Sequence, residues 1–146
     1  MELNPAQQLA ARGYHCSEAV LATVCHELGI ANDLVPRIAS VFAGGMAESG
    51  EVCGAATGAL MAISVKHGRD EVGQPDDEAH RLGAEFLGAF REKMGSLYCR
   101  ELTGMDLSTP EGRKQFRSSD GPIRVCLPAI GFAYERTLEL LAPIQQ

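Results

Sequence analysis

The stretch GGMAESGEVCGAATGALMAISVKHG, from Gly44 to Gly68, decides how this 146-residue sequence folds. It opens as a glycine-rich turn and continues as a run of apolar and small residues with no alternating pattern, which predicts a helix that Gly68 ends. Its small residues make a helix thin enough for close packing against a neighbour. The same thinness could bring other cysteines, or a flat cofactor held at Gly54 and Gly58, close to Cys53.

A glycine-rich turn before a helix can also bind phosphate through backbone N–H groups. This stretch lacks the G-x-x-x-x-G-K-[ST] pattern, and no strand pattern precedes it. The sequence therefore predicts neither a phosphate-binding loop nor a dinucleotide-binding fold.

Apolar residues recur with a helical period on both sides of this stretch. Val20, Val24 and Leu28 lie four residues apart and predict a helix from about Ser17 that ends near Gly29. Residues 33–42 are predicted to form a second helix before the glycines. A third helix, ended by Gly95, is predicted from a stripe of four residues: Leu82, Phe86, Phe90 and Met94.

The C-terminal part follows the same pattern. Thr109 and Pro110 have the residue types of an N-cap and a first helical position. SSDGPIRVC, residues 118–126, is predicted to be a loop, and Pro128 to open a last helix through Leu141. The prediction is an all-α fold, a single irregular bundle of five to six helices, with residues 1–146 forming one domain.

Composition and charge exclude several classes of function. The net charge of −6 argues against nucleic-acid binding, and the short basic run from Arg113 to Arg117 is interpreted as a solvated helix face. No stretch approaches the ~20 apolar residues of a membrane span, and the N-terminal residues do not resemble a secretory signal. A cytoplasmic location is expected, where cysteines serve metal binding, reversible redox chemistry or burial rather than permanent disulfides.

The five cysteines are the candidates for chemistry. Cys16 and Cys53 are predicted to lie near helix N-termini, where unpaired N–H groups favour a thiolate and lower the pKa. Cys99 and Cys126 are predicted in or beside loops. Cys25 follows Cys16 by nine positions, which places it on the opposite side of the helix and predicts simple burial.

Spacing alone does not assign the other four. The sequence contains no C-x-x-C pair and neither zinc-finger nor ferredoxin spacing. His15 precedes Cys16 and could stabilise its thiolate or donate a metal ligand. Hydrolase chemistry has no support from spacing.

Four motifs together resemble the C_GCAxxG_C_C family, whose members are described as redox-active. They are YHCSEAV around Cys16, the C-G-A-x-x-G motif from Cys53 to Gly58, FREKMGSLYCRELTGMDLSTPEGR around Cys99, and the late Cys126. The resemblance implies that these four cysteines are the characteristic set, that Cys25 lies outside it, and that the fold is all-helical. A related domain occurs in split-Soret cytochromes, but without C-x-x-C-H covalent haem is not expected.

Three functions are consistent with these residues. In the first, the four cysteines serve thiol/disulfide exchange or electron transfer with an unidentified redox partner: a cysteine of low pKa, Cys53 or Cys16, attacks a disulfide or another electrophile, and a neighbouring thiol resolves the intermediate. In the second, Cys16, Cys53, Cys99 and Cys126 bind an iron–sulfur cluster or zinc. In the third, the chain is an interaction module with buried cysteines. A homodimer is compatible with all three.

Overall fold

The fold consists of helices, and a computed structural model describes residues 2–143. The α-helices are α1 (Pro5–Ala11), α2 (Cys16–Glu27), α3 (Gly54–His67), α4 (Asp77–Met94), α5 (Cys99–Thr103), α6 (Pro110–Ser118) and α7 (Leu127–Leu141). A 3-10 helix spans Arg37–Phe42, and a π-helical turn, Pro122–Cys126, runs directly into α7. Between residues 2 and 143 there are no strands, which confirms the all-α prediction. Counting the π turn with α7 gives eight helical segments there, more than the five to six predicted.

Helix α3 lies at the centre, where it packs on α2, α4 and α7. Four of its alanines are fully buried: Ala55, Ala56, Ala59 and Ala62. Gly58 lets α2 approach closely, since a Cβ atom at this position would lie 2.6 Å from the carbonyl oxygen of Ser17. The predicted close packing of a thin helix is therefore what positions the start of α2 against the start of α3.

The predicted stripe of α4 forms the other half of the core. Leu82, Phe86 and Phe90 are buried, and the two phenyl rings lie 5.9 Å apart between centroids. Burying two phenylalanines contributes on the order of 4 kcal/mol through the hydrophobic effect. Helix α4 ends before Gly95, whose φ of 92° is the left-handed conformation that glycine adopts without strain.

Two predicted segments differ from the structure. The helix predicted for residues 33–42 is helical only from Arg37, because Pro36 disfavours helical backbone in the residue before it. The loop predicted for residues 118–126 is non-helical only at residues 119 and 120: Ser118 ends α6, and the π turn from Pro122 to Cys126 has helical geometry that continues into α7. Sequence propensity did not distinguish this turn from a loop, because tertiary packing overrides weak local preferences.

Helix α1 was missed from the sequence, although its start carries a recognisable signal. Asn4 and Gln7 form a reciprocal capping box, and Pro5 occupies the first helical position. The same side chains fix α1 to α7: the Asn4 amide donates to the carbonyl oxygen of Gly131 at 3.1 Å, and that of Gln7 to Leu127 at 3.0 Å. None of the helices from Pro5 to Leu141 has the length and apolar character needed to cross a membrane.

Residues 44–48 form a left-handed turn between the 3-10 helix and α3. Gly44 and Gly45 are followed by Met46, Ala47 and Glu48, whose φ values are 70°, 53° and 61°. Left-handed backbone costs roughly 1–2 kcal/mol for each residue other than glycine, so the surrounding contacts must impose it. One such contact is an ion pair of 2.9 Å between Glu48 and Arg113 of α6.

Candidate functional site

A small apolar cavity of about 80 Å³ has four cysteines in its lining. They are Cys16, Cys53, Cys99 and Cys126. Cys53 and Cys99 are each 8% exposed, whereas Cys16 and Cys126 are half-buried. Residues that lie more than a hundred positions apart in the sequence thus meet at one site.

The close packing of α2 on α3 brings Cys16 to Cys53. Cys16 is the first residue of α2, and Cys53 immediately precedes α3. Between them lies Gly54: a Cβ atom on this residue would overlap the Cys16 sulfur and would lie 3.1 Å from the carbonyl oxygen of Phe42. The missing side chain of Gly54 is therefore what leaves room for the Cys16 sulfur.

A short antiparallel bridge between Val52 and Tyr98 positions the two buried cysteines. The backbone N–H of Cys53 donates to the carbonyl oxygen of Leu97, and that of Cys99 to the carbonyl oxygen of Glu51, both at 2.7 Å. These paired hydrogen bonds fix the register between the segment before α3 and the segment before α5. Cys53 and Cys99 are held at the same cavity by this register.

Cys126 reaches the cavity through the π turn. The N–H of Leu127 donates to the carbonyl oxygen of Pro122, five residues earlier, as the wider π turn requires. An inserted turn of this kind changes the direction in which the residues on a helix project, and it occurs often at functional sites. The prediction that Cys99 and Cys126 lie in or beside loops holds for Cys99, which begins α5 directly after a non-helical segment, and is wrong for Cys126, which lies inside helical backbone.

The segment from α5 to α6 covers the cavity on one side. Leu107 and Phe116 pack with Cys99 in a small cluster of buried residues that is separate from the main core. Arg113 holds this cover in place, because it pairs with Glu48 and also donates to the carbonyl oxygen of Leu107 at 3.0 Å. This cover packs on Cys99 and closes one side of the cavity.

A second cavity reaches the cysteines from the surface. This outer groove, of about 350 Å³, is formed by α1, the start of α2 and the π turn, and its lining includes Cys16 and Cys126. Neither Cys53 nor Cys99 is among the described residues that line it. Cys16 and Cys126 therefore form an outer pair at the junction of the two cavities, and Cys53 and Cys99 form an inner pair.

Burial controls the acidity of all four thiols. Burial, together with the smaller effect of the charge of Cys53, raises the pKa of Cys16 to about 12. Burial is also the largest cause at Cys53 and Cys99, where it and the charge of a neighbouring cysteine raise the pKa to about 11. At Cys126 burial is again the largest cause, and the charges of the other three cysteines raise the pKa as well. The expectation of lowered pKa values at Cys16 and Cys53 is therefore wrong in direction.

The helix N-termini do act as expected, but too weakly. At the helix starts, the N–H of Ser17 lowers the pKa of Cys16, and those of Ala55 and Ala56 lower the pKa of Cys53. The N–H of Gly44, from the left-handed turn, also lowers the pKa of Cys16. These hydrogen bonds favour the thiolate, whereas the apolar surroundings disfavour any charge, and the second effect is the larger one. The sequence indicated the helix ends but gave no measure of how deeply they are buried.

The raised pKa values predict unusually slow thiol alkylation at neutral pH. A raised pKa leaves less thiolate at pH 7, so the native rates at Cys53 and Cys99 should be at least about a hundredfold below those of the unfolded chain. They should rise about tenfold per pH unit from pH 7 to 9.5, without the levelling off of an ordinary thiol. Iodoacetamide labelling with peptide mass spectrometry measures both, and native rates that level off below pH 9 would contradict the prediction.

The remaining predicted residues occupy different places. Cys25 is 2% exposed in the main core and does not line the described cysteine cavity, which agrees with its predicted burial. Gly54 lines that cavity, whereas Gly58 packs on Ser17. His15 caps α2, is exposed and lines the outer groove. The sequence analysis did not identify the Gly44 amide as part of the site, because no sequence pattern reliably predicts the left-handed turn in which it lies.

Four thiolates are suitable donors for zinc or an iron–sulfur cluster. The arrangement does not fit this use: between residues 2 and 143, no three His, Cys, Asp or Glu side chains form a group that could hold a metal ion. The site therefore consists of four cysteines in a largely apolar lining.

The comparisons with known proteins agree with the cysteine pattern. A family model described as "Putative redox-active protein (C_GCAxxG_C_C)" matches residues 14–140, which include the whole cavity lining. Comparisons with curated proteins and with solved structures gave no match. The matched range covers most of the sequence, and the chain therefore belongs to the C_GCAxxG_C_C family.

Proposed function

We propose that Cys16, Cys53, Cys99 and Cys126 form one redox centre that works by thiol/disulfide exchange. The observation that carries this proposal is that the outer groove and the inner cavity share Cys16 and Cys126. A partner disulfide in the outer groove would meet these two residues before the buried pair. The description of the family as redox-active supports the same function.

The reaction requires only thiols and a disulfide. A thiolate of the outer pair attacks one sulfur of a partner disulfide, the partner's S–S bond breaks, and its departing sulfur takes up a proton. The second outer thiol, once deprotonated, then attacks the mixed disulfide and releases the other partner sulfur as a thiolate. Two protein thiols have become one disulfide, and the partner disulfide has become two thiols, so atoms and electrons balance.

The high thiol pKa values affect how fast this centre can exchange. Exchange requires the thiolate, and burial keeps the fraction of thiolate small at pH 7. A protonated thiol and a disulfide both carry no charge, so burial penalises only the thiolate that has to form during exchange and neither of the two stable states. We therefore propose slow exchange with nonspecific reagents and faster exchange with a partner that fits the groove.

The second candidate function is metal binding by the same four cysteines. The observation in its favour is that all four side chains are sulfur donors. Thiolates that receive N–H hydrogen bonds, as Cys16 and Cys53 do, are common around iron–sulfur clusters. The observation against it is that, within residues 2–143, no three such side chains form a group that could hold a metal ion. We assign no reaction step to a metal.

One anaerobic preparation distinguishes the two candidates. Metal content, the visible spectrum and free thiols are measured before and after reduction and after addition of one equivalent of a disulfide. Exchange predicts a colourless, metal-free protein whose five thiols fall by two on oxidation and return on reduction. Bound metal close to stoichiometric amounts would support the second candidate, and five thiols that stay reduced throughout would exclude exchange.

A further inference from the structure

The residues that line the outer groove indicate what kind of molecule it can bind. Its lining is mostly apolar and contains Ala10, Ala11, Ala43, Leu127 and Ile130 around the outer cysteine pair. A cavity of about 350 Å³ lies at the small end of the size range of ligand sites. The groove therefore accommodates a short piece of a larger molecule, and its walls favour groups without charge.

Two side chains of the groove lining are also exposed to solvent. Tyr14 is 39% exposed and Ile123 is 70% exposed, and both belong to the groove lining. The guanidinium of Arg12 lies 5.7 Å from the centroid of the Tyr14 ring, in a cation–π contact that restrains the ring. An occupant that covers both side chains must extend from the groove onto the solvent-exposed surface at its edge, as a polypeptide segment does.

The outer pair defines the reactive group of that segment. Resting on the proposed function, we propose that the outer groove binds an apolar segment of a partner protein and presents the disulfide within it to Cys16 and Cys126. Apolar residues beside the partner's cysteine contact Tyr14, Ile123 and the alanine-lined wall. The sulfur exchange is the one written above, and the groove supplies the selection of substrate.

Matched peptides test the proposal directly. Three oxidants are compared: a peptide disulfide with leucines on both sides of each cysteine, the same peptide with serines in their place, and glutathione disulfide. Oxidation of Cys16 and Cys126 is followed by mass spectrometry. Each rate is divided by the rate of the same oxidant with the guanidinium-unfolded protein, which removes differences in intrinsic reactivity.

The leucine peptide should oxidise the native protein about tenfold faster than the serine peptide on this scale, as expected for burial of roughly 50–60 Å² of apolar surface. Ile123→Glu, which places a charge at the rim, should remove most of this preference. Val72→Glu is the control, because Val72 is 93% exposed and lies outside the groove lining, and it should leave the preference unchanged.

The outcomes separate this proposal from the one on which it rests. Equal normalised rates for the two peptides, or a preference that Ile123→Glu does not change, would overturn the proposed groove while leaving exchange intact. A rate for glutathione disulfide equal to that of the leucine peptide would also overturn it, in favour of a small-molecule oxidant. Failure of all three oxidants to oxidise the native cysteines would contradict the proposed function itself.

Discussion

Replacing either Cys16 or Cys126 with alanine is expected to stop the protein at a mixed disulfide with its oxidant. The remaining outer thiol can still attack, but the thiol that would resolve the intermediate is missing. Formation of the intramolecular disulfide should fall at least about a hundredfold, since nucleophilic displacement at sulfur requires a positioned thiolate. Intact-mass spectrometry measures this directly, because the trapped adduct retains half of the oxidant.

Two further cysteine variants serve as controls for these substitutions. Cys25→Ala removes a cysteine that is buried in the main core, outside the described lining of the cysteine cavity, and should leave the exchange rate unchanged. The double variant Cys16→Ala/Cys126→Ala should form neither the mixed nor the intramolecular disulfide at a comparable rate. An intramolecular disulfide that still forms at the native rate in Cys16→Ala would show that Cys16 is not a member of the exchanging pair.

Gly54→Ala should damage both the stability and the chemistry of the site. The added methyl group would overlap the Cys16 sulfur and would crowd the carbonyl oxygen of Phe42 at 3.1 Å. Inserting a methyl group into a close-packed region typically costs about 1–3 kcal/mol of unfolding free energy. The start of α2 has to move away from α3, so Cys16 leaves its position beside Cys53 and the exchange rate falls as well.

Gly88→Ala is the matched control for this substitution. Gly88 lies within α4, has no positive φ, and an added Cβ atom would meet nothing within 4 Å. The same change there should raise the unfolding free energy by about 0.5–1 kcal/mol, because alanine is the better helix former. Urea denaturation measures both variants, and equal effects at the two positions would contradict the role assigned to Gly54.

Several features of the fold could be predicted because their causes are local. The helices around Val20 and Phe86 are marked by apolar periodicity, and their ends by Gly29 and Gly95, whose φ values are positive. Thr109 caps α6 as predicted and accepts a hydrogen bond from the Gly112 amide. These features depend on residues within one or two turns of each other, which is the range that a sequence pattern reports.

The residues of the site could be named from the sequence, but their arrangement could not. Resemblance to a family singled out Cys16, Cys53, Cys99 and Cys126, whereas their spacing alone left metal binding, exchange and burial open. The division into an outer and an inner pair depends on two cavities and on the cover formed by Leu107 and Phe116. Contacts of this kind join distant segments and leave no periodic signal.

The pKa values of the thiols are another property that the sequence could not predict. A cysteine at a helix N-terminus can be recognised from its neighbours, and the sequence correctly placed Cys16 and Cys53 there. The depth of burial, which reverses the expected direction of the pKa shift, is set by how α2, α3, α5 and the π turn close around one cavity. The sequence by itself determined the helices marked by apolar periodicity, their glycine ends and the thin surface of α3. Only the tertiary structure decided which cysteines face each other and how little charge they can carry, because desolvation depends on every atom nearby and not on the order of residues along the chain.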